Sequence, residues 1–231
     1  MRRLATAILD LVTGDGCAAC GMPGPPLCDA CTVALPGVGP ATCCRCGHPW
    51  PVACAACPQC IAGLAWARQA TRYEECVPQV VAALKDRGRR SLADPLAVVM
   101  VQRLRPPPPG AVLVPVPLAP RRRAERGFNQ AALLAQALAR HWGVAYAPVL
   151  VRDGGGPPQR GAPAAARRIQ VHGAFRAVAD VPLHCVLVDD VVTTGATLSA
   201  AARALRSAGC AGVGAVALAR VALGALRTRV G

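Results

Sequence analysis

The chain has 231 residues, 53% of them apolar and 16% charged, with a formal net charge of +14. That balance excludes a disordered polymer and leaves room for one substantial core beside a small accessory module. No apolar run approaches the roughly 20 residues needed to cross a bilayer, so no membrane span is expected and a cytoplasmic location is.

Lys85 is the single lysine, and arginine carries nearly all of the positive charge. Three arginine clusters stand out: Arg87, Arg89 and Arg90; Arg121, Arg122, Arg123 and Arg126; Arg167 and Arg168. Each places positive potential where a polyphosphate or a nucleic-acid backbone could sit, although a run of this kind is as often a solvated face.

The first segment, 1–16, reads as a helix with Leu4, Ile8, Leu11 and Val12 on one face. Asp10 interrupts the apolar stretch and no small-residue cleavage site follows, which argues against a signal peptide. Cysteines then crowd the chain: ten of the thirteen fall between Cys17 and Cys60. They form four Cys-x-x-Cys pairs, Cys17 with Cys20, Cys28 with Cys31, Cys43 with Cys46 and Cys57 with Cys60, leaving Cys44 and Cys54 over. A two-residue gap lets the backbone turn a knuckle with both thiolates on one ion, and a second knuckle completes a tetrahedron. Eight ligands suit two structural zinc sites. Which pairs share an ion is open, Cys44 or Cys54 could replace a neighbour, and His48 is a lesser candidate. A disulfide framework is the alternative, and it requires an oxidising compartment that nothing in the sequence indicates. This stretch is too poor in large apolar residues to fold without metal, so a double zinc-ribbon module is expected over 17–63.

From residue 64 to 231 the pattern changes to alternating helices and strands. Helices are expected from Glu75 to Lys85 and from Ser91 to Leu104, followed by the breaker Pro106 to Gly110. A strand from Ala111 to Val116, a helix from Phe128 to Trp142 and a strand from Ala147 to Val151 come next, then a loop from Arg152 to Ala164. Strands at Ala174 to Val178 and His184 to Val188, a helix from Ala196 to Ala208 and a strand from Val213 to Ala219 close the chain. Strands alternating with helices define an α/β fold with a doubly wound, mostly parallel sheet. Cys76, Cys185 and Cys210 carry no motif and read as core residues.

The most informative segment is VLVDDVVTTGATL, Val186 to Leu198. A buried strand delivers Asp189 and Asp190 to its carboxyl end, where open α/β sheets bind ligands. Thr193, Thr194, Gly195, Ala196 and Thr197 then turn into a helix whose first N–H groups and positive dipole end suit a phosphate. Adjacent carboxylates suit the 2′ and 3′ hydroxyls of a ribose. Together they point to a sugar phosphate.

The segment resembles the phosphoribosyl pyrophosphate motif of type I phosphoribosyltransferases. With Leu113 to Gln130 (LVPVPLAPRRRAERGFNQ), Gln159, and Arg167 to Phe175 (RRIQVHGAF) behind the paired ribbons, the chain resembles the ComF family of competence proteins. Gln170 and Ala162 stand where that family usually has Asn and Leu. The resemblance implies a type I phosphoribosyltransferase fold, phosphoribosyl pyrophosphate with magnesium as ligand, and a role in natural transformation. By the same resemblance Asp189 and Asp190 are the catalytic candidates that hold the ribose. Val188 and residues 193 to 197 would serve the 5′-phosphate side, and Arg121, Arg126 and Lys85 the pyrophosphate. Lys85 has an ordinary alternative role as a cation matched to a helix C-terminus.

Two readings of function follow. The first is a working phosphoribosyltransferase. The second is a non-catalytic module that handles single-stranded DNA or senses a metabolite through the same site, with competence or helicase proteins as partners. Aromatic residues make up only 3% of the chain, which leaves few stacking platforms for single strands. The acceptor's hood has no readable segment, and the ribbons or the N-terminal helix are the candidates for it.

Overall fold

The computed structural model describes residues 16–39, 42–43, 45–48, 57, 60–152, 174–178 and 180–222. The body of the expected N-terminal helix, the loop after Arg152, and Cys44 and Cys54 lie outside these residues.

Alternating apolar residues on the strands bury both faces of a parallel sheet. On β5 (His184–Val192), Val186 and Val188 join one core while Cys185 and Leu187 join the other. On β6 (Gly212–Arg220), Val216 and Leu218 share the first core, and Ala215 and Ala217 the second. Period-two alternation with apolar residues at both phases is what a strand covered on each side requires. With β1 (Trp66–Arg72) and β2 (Val112–Pro115) these strands form a four-stranded sheet in the order β1-β6-β5-β2, parallel throughout.

One face is covered by α2 (Val77–Lys85), α3 (Ala93–Arg103) and α5 (Gln130–Trp142), whose Leu84, Leu96, Leu134 and Leu138 are fully buried. The other face takes α6 (Ala196–Ser207) through Leu198, Ala201 and Leu205. Helices on both faces of a parallel sheet make the expected doubly wound α/β fold. Asn129 caps α5 by accepting from the Ala131 N–H at 3.0 Å, and its side-chain amide donates to the Val116 carbonyl, tying that helix to the loop after β2. Among the described residues, no helix is long and apolar enough to cross a membrane.

Several boundaries differ from the sequence expectation. β5 does not stop at Val188; it runs through both aspartates to Val192, with Asp189 opposite Ala217 in register. The strand expected at Ala147 to Val151 forms over Leu150–Arg152 as β3, and it pairs antiparallel with β4 (Phe175–Ala177) as a separate two-stranded sheet. β1 and a short helix, α4 (Pro120–Arg126), were not anticipated. A helix α1 (Asp29–Ala34) follows Cys28, and Leu27 and Leu35 at its two ends pack into the first core together with Cys17. The cysteine-rich segment is thus fastened to the α/β body, including by the Arg72 N–H bond to the Pro36 carbonyl at 3.0 Å.

Candidate functional site

A cavity of about 270 Å³ opens at the carboxyl ends of the strands. Its floor is built by β5, which presents Asp189 and Asp190, and by the turn that follows, which presents Thr193 and Thr197. Gly195 sits in the left-handed region at φ 77°, as the reversal from β5 into α6 demands, and Thr194 Oγ1 accepts from the Ala196 N–H at 3.4 Å. The N-terminus of α6 therefore faces the same side of the sheet as the carboxylates.

The aspartates are locked by their own backbone. Asp189 Oδ1 accepts from the Asp190 N–H and Asp190 Oδ1 from the Val191 N–H, each at 2.9 Å. Asp190 is 6% exposed, and its Oδ2 is buried without a hydrogen bond, 3.9 Å from the Lys85 ammonium at the end of α2. Burial pushes the Asp189 carboxyl well above the usual carboxylate range, and the charge of Asp190 adds to this. The Asp190 N–H and Lys85 pull the other way without prevailing.

Four cations line the same cavity: Lys85, Arg122, Arg126 and Arg152. Arg126 is anchored by Asp86 at 2.8 Å and by Gln130 at 3.2 Å. Arg152, the last residue of β3, lies over the Phe175 ring at 5.2 Å. Burial draws its guanidinium below the ordinary range, with Arg122 acting in the same direction and Asp189 against it.

The structure thus brings Asp189, Asp190, Thr193, Thr197, Lys85 and Arg126 around one cavity. It does not bring the Val188 side chain there, since that residue is fully buried in the core opposite Val216. Thr194, Gly195 and Ala196 shape the turn without lining the cavity. Arg121 lies outside it, exposed and paired with Glu125 at 2.9 Å, and Arg122 takes the place expected of Arg121. Sequence reasoning placed Arg122 in a basic cluster without assigning it to the pyrophosphate, and it missed Arg152. The first carried a signal: Pro120 and Gly127 bound a two-turn helix in which Arg121 faces Glu125 and Arg122 faces Arg126. Arg152 precedes a Gly/Pro-rich loop and carried none.

The cysteines form two clusters, Cys17, Cys20, Cys28 and Cys31 in one and Cys43, Cys46, Cys57 and Cys60 in the other, so consecutive pairs join. Within each the sulfurs lie within 4.8 Å of one another. Cys20 to Cys28 is 3.9 Å, Cys43 to Cys60 is 3.7 Å and Cys46 to Cys57 is 3.8 Å. A tetrahedral zinc with Zn–S bonds of about 2.3 Å sets its sulfurs about 3.8 Å apart, so both clusters fit the ion. A disulfide needs about 2.05 Å, and none of these spacings approaches it. Burial works against a thiolate at Cys17, but N–H groups of Cys28, Cys20 and Ala19 outweigh it and hold the thiol down at about 6. Cys43 is held at about 7 by the same opposition between burial and the N–H groups of Cys46 and Arg45. His48 is not in the second cluster; its carbonyl accepts from the Cys43 N–H at 2.8 Å.

A parallel sheet with an acidic pair, a threonine-glycine turn and a cationic wall at its carboxyl end defines a type I phosphoribosyltransferase fold. Residues 129–229 match the family described as Phosphoribosyl transferase domain. The chain is similar to the DNA utilization protein YhgH of Salmonella typhi, 37% identical over 159 residues that cover 64% of this chain and 70% of that protein. It is also similar to YhgH of Salmonella typhimurium, 43% identical over 44% of this chain and 45% of the relative. Competence protein F of Haemophilus influenzae is 39% identical over 42% of this chain and 44% of its own length. The chain belongs to the ComF family.

Proposed function

We propose that the cavity binds phosphoribosyl pyrophosphate with magnesium and that the chain transfers ribose 5-phosphate from it to an acceptor. The observation that carries this reading is that two adjacent carboxylates and four cations, Lys85, Arg122, Arg126 and Arg152, line one cavity. Asp189 and Asp190 accept the ribose hydroxyls. Residues 193 to 197 receive the 5′-phosphate at the N-terminus of α6. The four cations hold the pyrophosphate. In the transfer, the bond from the anomeric carbon to pyrophosphate breaks with its electron pair leaving on oxygen, and the acceptor forms the new bond to that carbon. Positive charge grows on the ribose beside Asp190, and negative charge grows on the leaving group against the cations, so both are met by groups already in place. Magnesium would be carried by the substrate's own phosphates and would supply neutralisation of their charge.

Each cysteine cluster holds one zinc by this reading. Four thiolates leave no open position, so the metal braces the fold and takes no part in the chemistry. Thiols set for metal binding agree with a cytoplasmic location, and the names of the relatives support a part in DNA utilization and competence.

A second reading, in which the site gates the handling of single-stranded DNA without transfer, is favoured by one observation. Members of the two arginine clusters, far apart in sequence, meet in space: Arg126 pairs with Asp86, and Arg90 lies 4.6 Å over the ring of Phe128, while Arg89 is buried and donates to the Gly16 carbonyl at 2.7 Å. The resulting basic surface borders the cavity. Calorimetric titration with phosphoribosyl pyrophosphate and magnesium, followed by a pyrophosphate-release assay across bases and single-stranded DNA, separates the two. Binding with release supports transfer, binding without release supports the gated module, and absence of binding overturns both.

A further inference from the structure

The second cysteine cluster is joined to the cavity by two short routes. On one side, Ile61 directly follows Cys60, the last sulfur of the cluster, and packs against the backbone of Gly195 in the threonine turn. A Cβ placed on Gly195 would meet Ile61 Cγ1 at 2.5 Å and Cδ1 at 2.7 Å. The chain then continues along α6: the Gly63 carbonyl accepts from Arg206 Nε at 2.9 Å, and Gly63 faces the Ala202 methyl. Leu64 and Ile61 are both buried in the core that receives Leu198 of α6. On the other side, the Cys46 carbonyl accepts from the Gln69 amide at 3.0 Å and from the Arg220 guanidinium at 2.9 Å. Arg220 is 2% exposed at the end of β6, and the next residue, Val221, lines the cavity and donates its N–H to Val192, the residue before the turn.

We propose that Ile61 is a positioning residue through which metal occupancy of the Cys43, Cys46, Cys57 and Cys60 cluster sets the geometry of the 193–197 turn. The physical basis is a contact with no slack. Gly195 has a positive φ and no side chain, so Ile61 rests directly on the turn's backbone, and a chain end fixed by Cys57 and Cys60 holds Ile61 in place. With the thiolates released, the segment before Leu64 keeps the Gly63 bond to Arg206 but loses the anchor at Cys57 and Cys60 that precedes Ile61, and Ile61 is held less firmly against the turn. Among the described residues the segment holding the first cluster is tied elsewhere, by Arg89 donating to the Gly16 carbonyl at 2.7 Å and Arg103 of α3 to the Thr32 carbonyl at 3.4 Å. The consequence for ligand binding rests on the sugar-phosphate reading, but the mechanical link does not.

Coupling of this kind is reciprocal: a ligand that orders the turn must raise the equilibrium affinity of the second cluster for metal by the same factor by which metal raises the affinity for the ligand. Amide hydrogen exchange across residues 193–199 in the full zinc-loaded chain tests the link without any ligand. Ile61→Ala is expected to speed exchange there about tenfold while both zinc ions are retained by mass spectrometry. Ile61→Val, one methylene smaller, should give a lesser change of the same sign and serves as the reporter should the alanine variant fold poorly. Exchange unchanged from wild type in a variant that keeps both metals overturns the proposal. Zinc is then partitioned at equilibrium against a chromogenic chelator with and without phosphoribosyl pyrophosphate and magnesium. One of the two zinc ions should need more chelator for its removal when the ligand is present, and an equal shift for both ions or for neither overturns the reciprocity. A wild-type chain that takes up no phosphoribosyl pyrophosphate yet shows the turn response would sink the sugar-phosphate reading and leave the link standing.

Discussion

The ammonium of Lys85 stands 3.9 Å from Asp190 Oδ2, a carboxylate oxygen buried without a hydrogen bond. α2 therefore ends with its cation beside the acidic pair, in an ion pair at the outer limit of contact. Lys85→Ala should weaken binding of phosphoribosyl pyrophosphate about tenfold in calorimetry, since it removes both a cation from the pyrophosphate side and a charge that favours the ionised form of Asp189. Lys85→Arg should recover part of this, because the charge returns at a different reach. Equal binding in all three proteins would place Lys85 in the ordinary role of a helix-end cation.

The acidic pair should also leave a signature in stability. Asp189 titrates higher in the folded chain than its ordinary value because of burial and Asp190. A carboxyl raised on folding contributes stability that is whole below its unfolded pKa of about 3.9 and is lost as pH rises through the folded value. Asp189→Asn keeps an acceptor for the Asp190 N–H and cannot ionise. Its melting temperature should exceed that of the wild type at neutral pH, with the difference closing as pH falls toward about 4. Thermal melts across that range check the sign, and a gap that widens in acid would contradict it.

Much of this site was legible in the sequence because its chemistry is local. The run from Asp189 to Thr197 is continuous, and a strand, a turn and a helix follow from its own residues. Cysteine spacing likewise announced two metal clusters, though the joining of consecutive pairs needed coordinates. What the sequence hid depends on tertiary partners. β1, Trp66–Arg72, carries Gln69 and Thr71 at buried positions, where apolar residues would mark a strand. They are tolerated because Gln69 donates to Cys46 and Thr71 to the Leu218 carbonyl at 2.9 Å, bonds that exist only after the ribbon and β6 are in place. Arg152 enters the cavity only because β3 pairs with β4 across a long stretch of sequence.

Metal analysis of the purified chain should give two zinc ions. Cys44→Ala with Cys54→Ala should leave that number at two, because the described clusters are complete without them. Cys46→Ala should reduce it to one. A double variant that loses metal would instead show that Cys44 or Cys54 supplies a ligand.

The basic surface beside the cavity makes a separate prediction. Arg121 and Arg123 are exposed and lie outside the cavity lining. If they neutralise phosphates of single-stranded DNA, Arg121→Ala with Arg123→Ala should lower the slope of log affinity against log salt by about 1.4, or about 0.7 for each phosphate no longer neutralised. Binding of phosphoribosyl pyrophosphate should not change. A slope equal to that of the wild type would remove these two arginines from any nucleic-acid interface.

Lys85 has a further consequence that concerns reagents. It supplies the only side-chain primary amine in the chain, and that amine lies at the edge of the cavity, about one quarter exposed. An amine-selective acylating dye, used where the N-terminal amine has been blocked, therefore labels one place on the molecule. The dye becomes an optical gauge of whether the cavity is occupied, obtained without introducing a single foreign residue.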